Sequence, residues 1–226
     1  MLARAIPTRD EYHLRIKQNV DALKARLNLP SFFASEQERG KVLYYYMERA
    51  VQIGEACFRI SDFQMPLLVL ARVLCEDFFT LYWASRSEEN AAEYVKAVRS
   101  EMARMVRQNL KNKRARLRDI SSGKDVTAEF LPELNGVGKK RSIEEIAKES
   151  GLSKVYDIIY RYDSLEVHGN TFGLSELKSK MDGIAVAVSA INAFLKVILL
   201  VADTKDRSLT ADEVLSALNM RGVPGT

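Results

Sequence analysis

Residues 65–85, MPLLVLARVLCEDFFTLYWAS, decide the fold. Gln64 ahead of Met65 and Pro66 marks a helix start, because proline in a first turn gives up an amide that has no intrahelical partner. The run that follows is apolar on most faces, which predicts a largely buried helix of about 20 residues at the centre of a bundle. Downstream, Ser87 with Glu88 and Glu89 in the first turn opens another helix running to about Arg118. Upstream, Thr8 with Glu11 and Ser35 with Glu38 read as capping boxes, predicting helices over roughly 8–28 and 35–60 that Pro30 separates. Helix signals recur along the chain and strand signals do not, so the expected class is all-α.

The stretch from Asp119 to Arg141 holds three glycines and a proline without sustained periodicity, and is expected to be a mobile loop or lid inserted in the bundle. Beyond it, Ser142 with Glu145 caps a short helix ending at Gly151, and Ser153 opens a helix that Gly169 closes. A long apolar helix from about Leu174 to Val201 and a short one after Thr210, boxed by Glu213, complete a single domain over residues 1–226 with a frayed tail at 221–226. Ile184 to Ala202 approaches the length of a membrane span, but Asn192 and Lys196 interrupt it, so a bundle helix without stable membrane insertion is the simpler reading.

At 226 residues and 47% hydrophobic, the chain can bury a sizeable core and is not a disordered tail. Cys57, Cys75, His13 and His168 are all of its cysteines and histidines, which argues against a structural zinc site. The opening MLARAIPTRDEYH breaks into charge before an apolar segment of signal-peptide length, so the expected compartment is the cytoplasm, with both thiols reduced. A net charge of +4 permits nucleic acid as a partner without requiring it.

Chemistry concentrates in residues 156–170, YDIIYRYDSLEVHGN. On a helix Arg161, Ser164 and His168 share one face, and Tyr160, Ser164 and His168 form a neighbouring stripe at spacing four. A permanent cation beside a group that titrates near neutrality can hold a phosphodiester and move the proton of an adjacent 2′-hydroxyl. Arg72 and Glu76 stand one turn apart in the apolar helix, where charge is expensive unless paired. They read either as a buried structural ion pair or as part of one polar pocket with Tyr160, Ser164, His168 and Asn170. His13, beside Glu11 and Tyr12 in a charged helix, reads as a solvated surface residue.

In these motifs the sequence resembles the HEPN superfamily, all-helical domains whose ribonuclease members carry an arginine and a histidine separated by about four to six intervening residues near the end of one helix. Arg161 and His168 meet the upper limit of that spacing, with Tyr162 where active members usually place a small polar residue. The chain is also similar, over roughly residues 40–200, to an uncharacterised, mostly bacterial, HEPN-like family with Arg-x-x-x-Glu and Tyr-x-x-x-Ser-x-x-x-His elements, here Arg72 with Glu76 and Tyr160, Ser164 with His168. The resemblance implies a HEPN-like helical bundle, a homodimer that brings a second Arg161 and His168, and metal-independent RNA cleavage of the defence or toxin type without a cofactor. Arg161 and His168 would be catalytic, with Arg72, Glu76, Tyr160, Ser164 and Asn170 in support.

Two further patterns define alternatives. Residues 143–160, IEEIAKESGLSKVYDIIY, look like a helix-turn-helix through Ala147, Gly151 and Leu152. Yet Asp157 falls where an aliphatic residue is usual, and Glu144, Glu145 and Glu149 make a poor face for phosphate. Residues 99–118 hold eight basic side chains and one acid. Arg107, Lys111 and Arg114, with Lys139, Lys140 and Arg141 past the loop, read as a solvated helix end or as a rim that attracts RNA. Tyr44, Tyr45, Tyr46 and Trp83 read as core or partner contacts. The alternatives to a ribonuclease are thus a non-catalytic module that binds RNA, a nucleotide or a partner protein, and a DNA-binding regulator.

Overall fold

Side chains flanking the helices set where they begin. The computed structural model describes residues 8–29, 37–112, 116–129, 140–160, 183–204 and 209–218. Helix α1 (Arg9–Leu27) starts at Thr8, whose hydroxyl accepts from the Glu11 amide while Glu11 Oε2 accepts from the Thr8 amide at 2.6 Å. The same reciprocal box forms at Ser142 and Glu145 before α5 (Ile143–Glu149), and at Thr210 and Glu213 before α8 (Ala211–Ala217). Ser87 caps α4 (Glu88–Lys111) by accepting from the Asn90 amide at 3.1 Å. Helix α2 (Glu38–Arg59) departs from expectation. Its N-cap is Gln37, Ser35 lies outside the described residues, and the amides of Glu38 and Arg39 are taken by the Glu88 carboxylate reaching across from α4.

The apolar run forms α3 (Gln64–Ala84), with Leu67, Ala71, Leu74, Phe78 and Leu81 at 0% exposure. Against it lie α2, α4, α5 and α7 (Gly183–Asp203), and α1 packs on α2 and α7. Phe78 anchors the seam between α3 and α7, with its ring 5.9 Å from Tyr82 and 5.7 Å from Phe194. Each such side chain stabilises the fold by roughly 1.5–3 kcal/mol through burial. The chain is an all-α helical bundle, and among the described residues there is no strand, only an isolated bridge between Arg118 and Asp125.

Ile184–Asp203 has a mean hydropathy of 2.4 and the length to cross a membrane, yet here it packs against α1, α2 and α3. Asn192 accepts a hydrogen bond from Asn19 at 3.0 Å, and Lys196 is exposed. Its polar positions are therefore satisfied by a neighbour and by solvent.

Two expectations, the end of α4 and the setting of His13, need correction. Helix α4 ends at Lys111 rather than near Arg118, with Asn112 closing its last turn. Within the expected loop, residues 119–129 begin in a tight turn: the Asp119 amide bonds Lys124 O, the Val126 amide bonds Leu117 O, and Gly123 takes φ 68°. The hydroxyls of Ser121 and Ser122 donate to Asp119 and hold its carboxyl down at about 2. His13 is half-buried rather than solvated. Its ring meets Phe58 edge-on at 6.3 Å, Nε2 is shielded without a hydrogen-bond partner among the described residues, and burial pulls its pKa down.

Candidate functional site

After α6 (Ser153–Val155) the chain widens into a π-helical turn, Tyr156–Tyr160. Such turns often sit at functional positions, because the extra residue re-aims the side chains it carries. Tyr156 and Tyr160 stack with ring centroids 4.9 Å apart and 20° between planes, and Tyr156 packs edge-on against Phe79 of α3 at 6.4 Å. The stack fixes Tyr160 over α3.

There Tyr160 closes a triangle. Arg72 Nε donates to Glu76 Oε1 at 3.1 Å, the Tyr160 hydroxyl donates to the same oxygen at 3.1 Å, and Arg72 Nη2 donates to the Tyr160 hydroxyl at 3.3 Å. The Arg72 guanidinium also lies 5.2 Å from the Tyr160 ring centroid, a cation–π contact. Burial, then the Glu76 carboxylate, push the Tyr160 hydroxyl up, so it stays a donor at neutral pH. Arg72 is 18% exposed and Glu76 37%, which makes this a half-buried polar cluster rather than a surface ion pair.

Glu76 also lines a cleft of about 480 Å³ between α3, α4 and α5, to which α2 contributes Tyr46. Asp77 sits in its wall, paired with Arg49 Nε at 2.5 Å, and burial pushes its carboxyl up to about 6 against the pull of that arginine. The Tyr46 hydroxyl donates to the Tyr94 hydroxyl at 2.7 Å, and burial pushes both phenols up. At the mouth, Arg141 Nε donates to Glu93 at 2.9 Å, Nη1 reaches Glu149, and the guanidinium lies 5.1 Å from the Trp83 ring centroid.

Of the residues the sequence singled out, Arg72, Glu76 and Tyr160 are brought together. Arg161, Ser164, His168 and Asn170 lie outside the described residues, as do Arg114 and Lys139. Lys111 ends α4, Arg107 lies on the same helix, and Lys140 is exposed beside the cleft. Arg141 is no free phosphate ligand: Glu93, Glu149 and the Trp83 ring occupy it. In the turn of the helix-turn-helix pattern, Gly151 takes φ 71°, Ala147 and Leu152 are buried, and Asp157 is exposed. Sequence reasoning missed Asp77, Glu93 and Tyr94 and set Tyr46 and Trp83 aside as contacts. Asp77 had a signal, a second acid beside Glu76 in an apolar helix, whereas the others depend on which helices meet. Among the described residues no group of three or more histidine, cysteine, aspartate or glutamate side chains is placed to hold a metal ion.

No curated protein and no solved structure matches the chain. Residues 44–184 match the model of a family of unknown function (DUF5677), a span that includes Arg72, Glu76, Tyr160 and every residue lining the cleft. Because the match takes in more than half of the 226 residues, the chain belongs to this family of unknown function.

Proposed function

We propose that the chain is a HEPN-like, metal-independent endoribonuclease of the defence or toxin type, acting in the cytoplasm as a homodimer. The observation that carries this reading is the triangle of Arg72, Glu76 and Tyr160. It fixes Tyr160, the residue immediately before Arg161 in the sequence, against the central helix. A phosphate-holding cation and a proton mover need such anchoring, because misplacement by about 1 Å can lower a rate a hundredfold.

In the proposed reaction Arg161 holds the non-bridging phosphate oxygens. His168 takes the proton of the 2′-hydroxyl as that oxygen attacks phosphorus, and the bond to the 5′-oxygen breaks. The products are a 2′,3′-cyclic phosphate and a 5′-hydroxyl, whose proton comes from a second acid. Purified protein is expected to cleave single-stranded RNA in EDTA, and His168→Ala or Arg161→Ala to lower the rate by about a hundredfold or more. Absence of cleavage, or equal cleavage by His168→Ala, rejects the mechanism.

One observation favours a second reading. Arg72, Glu76 and Tyr160 bond to one another, as a structural cluster does, which supports a non-catalytic module binding RNA, a nucleotide or a partner protein. Binding that survives His168→Ala in a protein without cleavage activity selects it. The DNA-regulator reading has less support, since the described second helix carries Lys154 balanced by Asp157 and the first carries three glutamates.

A further inference from the structure

The cleft between α3, α4 and α5 has a charge balance that narrows what fits it. Glu76 is paired with Arg72, Asp77 with Arg49, Glu93 with Arg141 and Glu101 with Arg104. With every carboxylate already matched, the interior asks for neither a cation nor an anion. Two polar positions nevertheless remain uncommitted among the described residues. Asp77 receives Arg49 on Oδ2 alone, leaving Oδ1 as an acceptor. Tyr94 accepts from Tyr46, leaving its own proton to donate. Both residues line the same cleft.

Apolar side chains, Val98, Ile143 and Ile146 among them, line the same cleft. The volume of about 480 Å³ falls within the range of roughly 300–1,000 Å³ usual for small-molecule sites. A neutral planar heterocycle with an amide-like edge meets all of these conditions. It offers one N–H to Asp77 and one acceptor to Tyr94, with its apolar faces toward the aliphatic lining of the cleft. Exposed Lys140 stands beside the cleft, where it can meet a phosphate attached to such a ring.

We propose that this cleft binds a nucleobase, with Asp77 and Tyr94 reading its hydrogen-bonding edge and Lys140 facing its phosphate. The site needs neither Arg161 nor His168, so it stands apart from the cleavage reading. Its ligand is either a free mononucleotide or one base of an RNA strand, which share this chemistry.

Calorimetric titration on the His168→Ala protein separates these sources without turnover. The probes are the four ribonucleoside monophosphates, a short single-stranded RNA, and ribose 5-phosphate as a ligand without a base. Saturable binding of a mononucleotide identifies the free ligand, and binding of RNA alone identifies a base within a strand. In either case Val98→Trp, a substitution at a partly exposed position that fills the cleft, is expected to abolish binding. Tyr94→Phe is expected to weaken it about tenfold, the loss of one hydrogen bond. Circular dichroism and thermal melting establish that both variants are folded. The proposal is overturned if neither nucleotide nor RNA saturates at millimolar concentration, or if ribose 5-phosphate binds as tightly as the nucleotides. It is equally overturned if both folded variants bind like the parent.

Discussion

Asp77 and Glu76 are neighbours in sequence, yet their carboxyls answer to different partners, Glu76 to Arg72 and Tyr160 and Asp77 to Arg49. Burial dominates at Asp77, with Glu76 adding repulsion and Arg49 opposing both. The folded carboxyl keeps its proton up to pH about 6, whereas an unfolded one releases it near 3.8. Between those values the folded state binds more protons, so this group's contribution to stability falls as pH rises through the window. The stability of the parent relative to Asp77→Asn should therefore decline by roughly 2–3 kcal/mol between about pH 4 and pH 6, read by urea unfolding. A carboxyl-carbon NMR titration of Asp77 with a midpoint below about 4.5 rejects the assignment. All three members of the Arg72–Glu76–Tyr160 cluster were singled out from the sequence, the first two because buried charge is costly. Arg72 and Glu76 sit one turn apart in an apolar helix, and charge there must be paired. Tyr94 and Glu93 were not legible, because they matter only once α4 lies against α3. His13 misled, since nothing local reveals that Phe58 of α2 shields its ring.

Helix starts were legible wherever the cap is local, as at Thr8, Ser87, Ser142 and Thr210. The start of α2 was not, because its amides are taken by Glu88, fifty residues away in sequence from Glu38. The widened turn at Tyr156–Tyr160 was invisible too, since a π-turn answers to packing by Phe79 and Arg72 rather than to periodicity. Gly54 carries the clearest constraint between elements. It lies on α2 where α1 and α7 converge, and a Cβ there would intrude on Val20 Cγ2 and touch Leu195. Val20 is β-branched and almost fully buried, so it cannot turn away cheaply. Alanine raises helix propensity by about 1 kcal/mol over glycine, but overpacking of this kind costs roughly 1–3 kcal/mol. Gly54→Ala should therefore lower the melting temperature by a few degrees, and Gly54→Ala combined with Val20→Ala should recover most of that loss. A rise in melting temperature for the single variant means that the helices spread without strain.

Across the whole molecule the all-α class was legible from capping and apolar runs, while the meaning of the basic charge was not. The structure pairs Arg104 with Glu101, Arg116 with Asp125 and Arg141 with Glu93, so these three cations are compensated within the chain. Electrostatic attraction of RNA then rests on fewer cations than the sequence count suggests, and the proposed chemistry asks for more than one chain supplies. Transesterification removes a proton from the 2′-hydroxyl and delivers one to the leaving 5′-oxygen in the same event, whereas each chain has one histidine on the Arg161 segment. Tyr160 is a poor second acid, because burial and Glu76 hold its proton tightly. In the proposed homodimer, a second copy related by a two-fold axis would bring a second Arg161 and His168 to the same phosphate, an arrangement of the closed symmetry commonest among oligomers. Sedimentation equilibrium should therefore give a mass of twice the 25.6 kDa chain. Cleavage per chain should fall as the protein is diluted through the dimer dissociation constant, and a tandem fusion of two copies should hold its rate on dilution. A monomer whose rate per chain is unchanged by dilution leaves cleavage in place but removes the need for a partner, and the second proton must then come from within the chain.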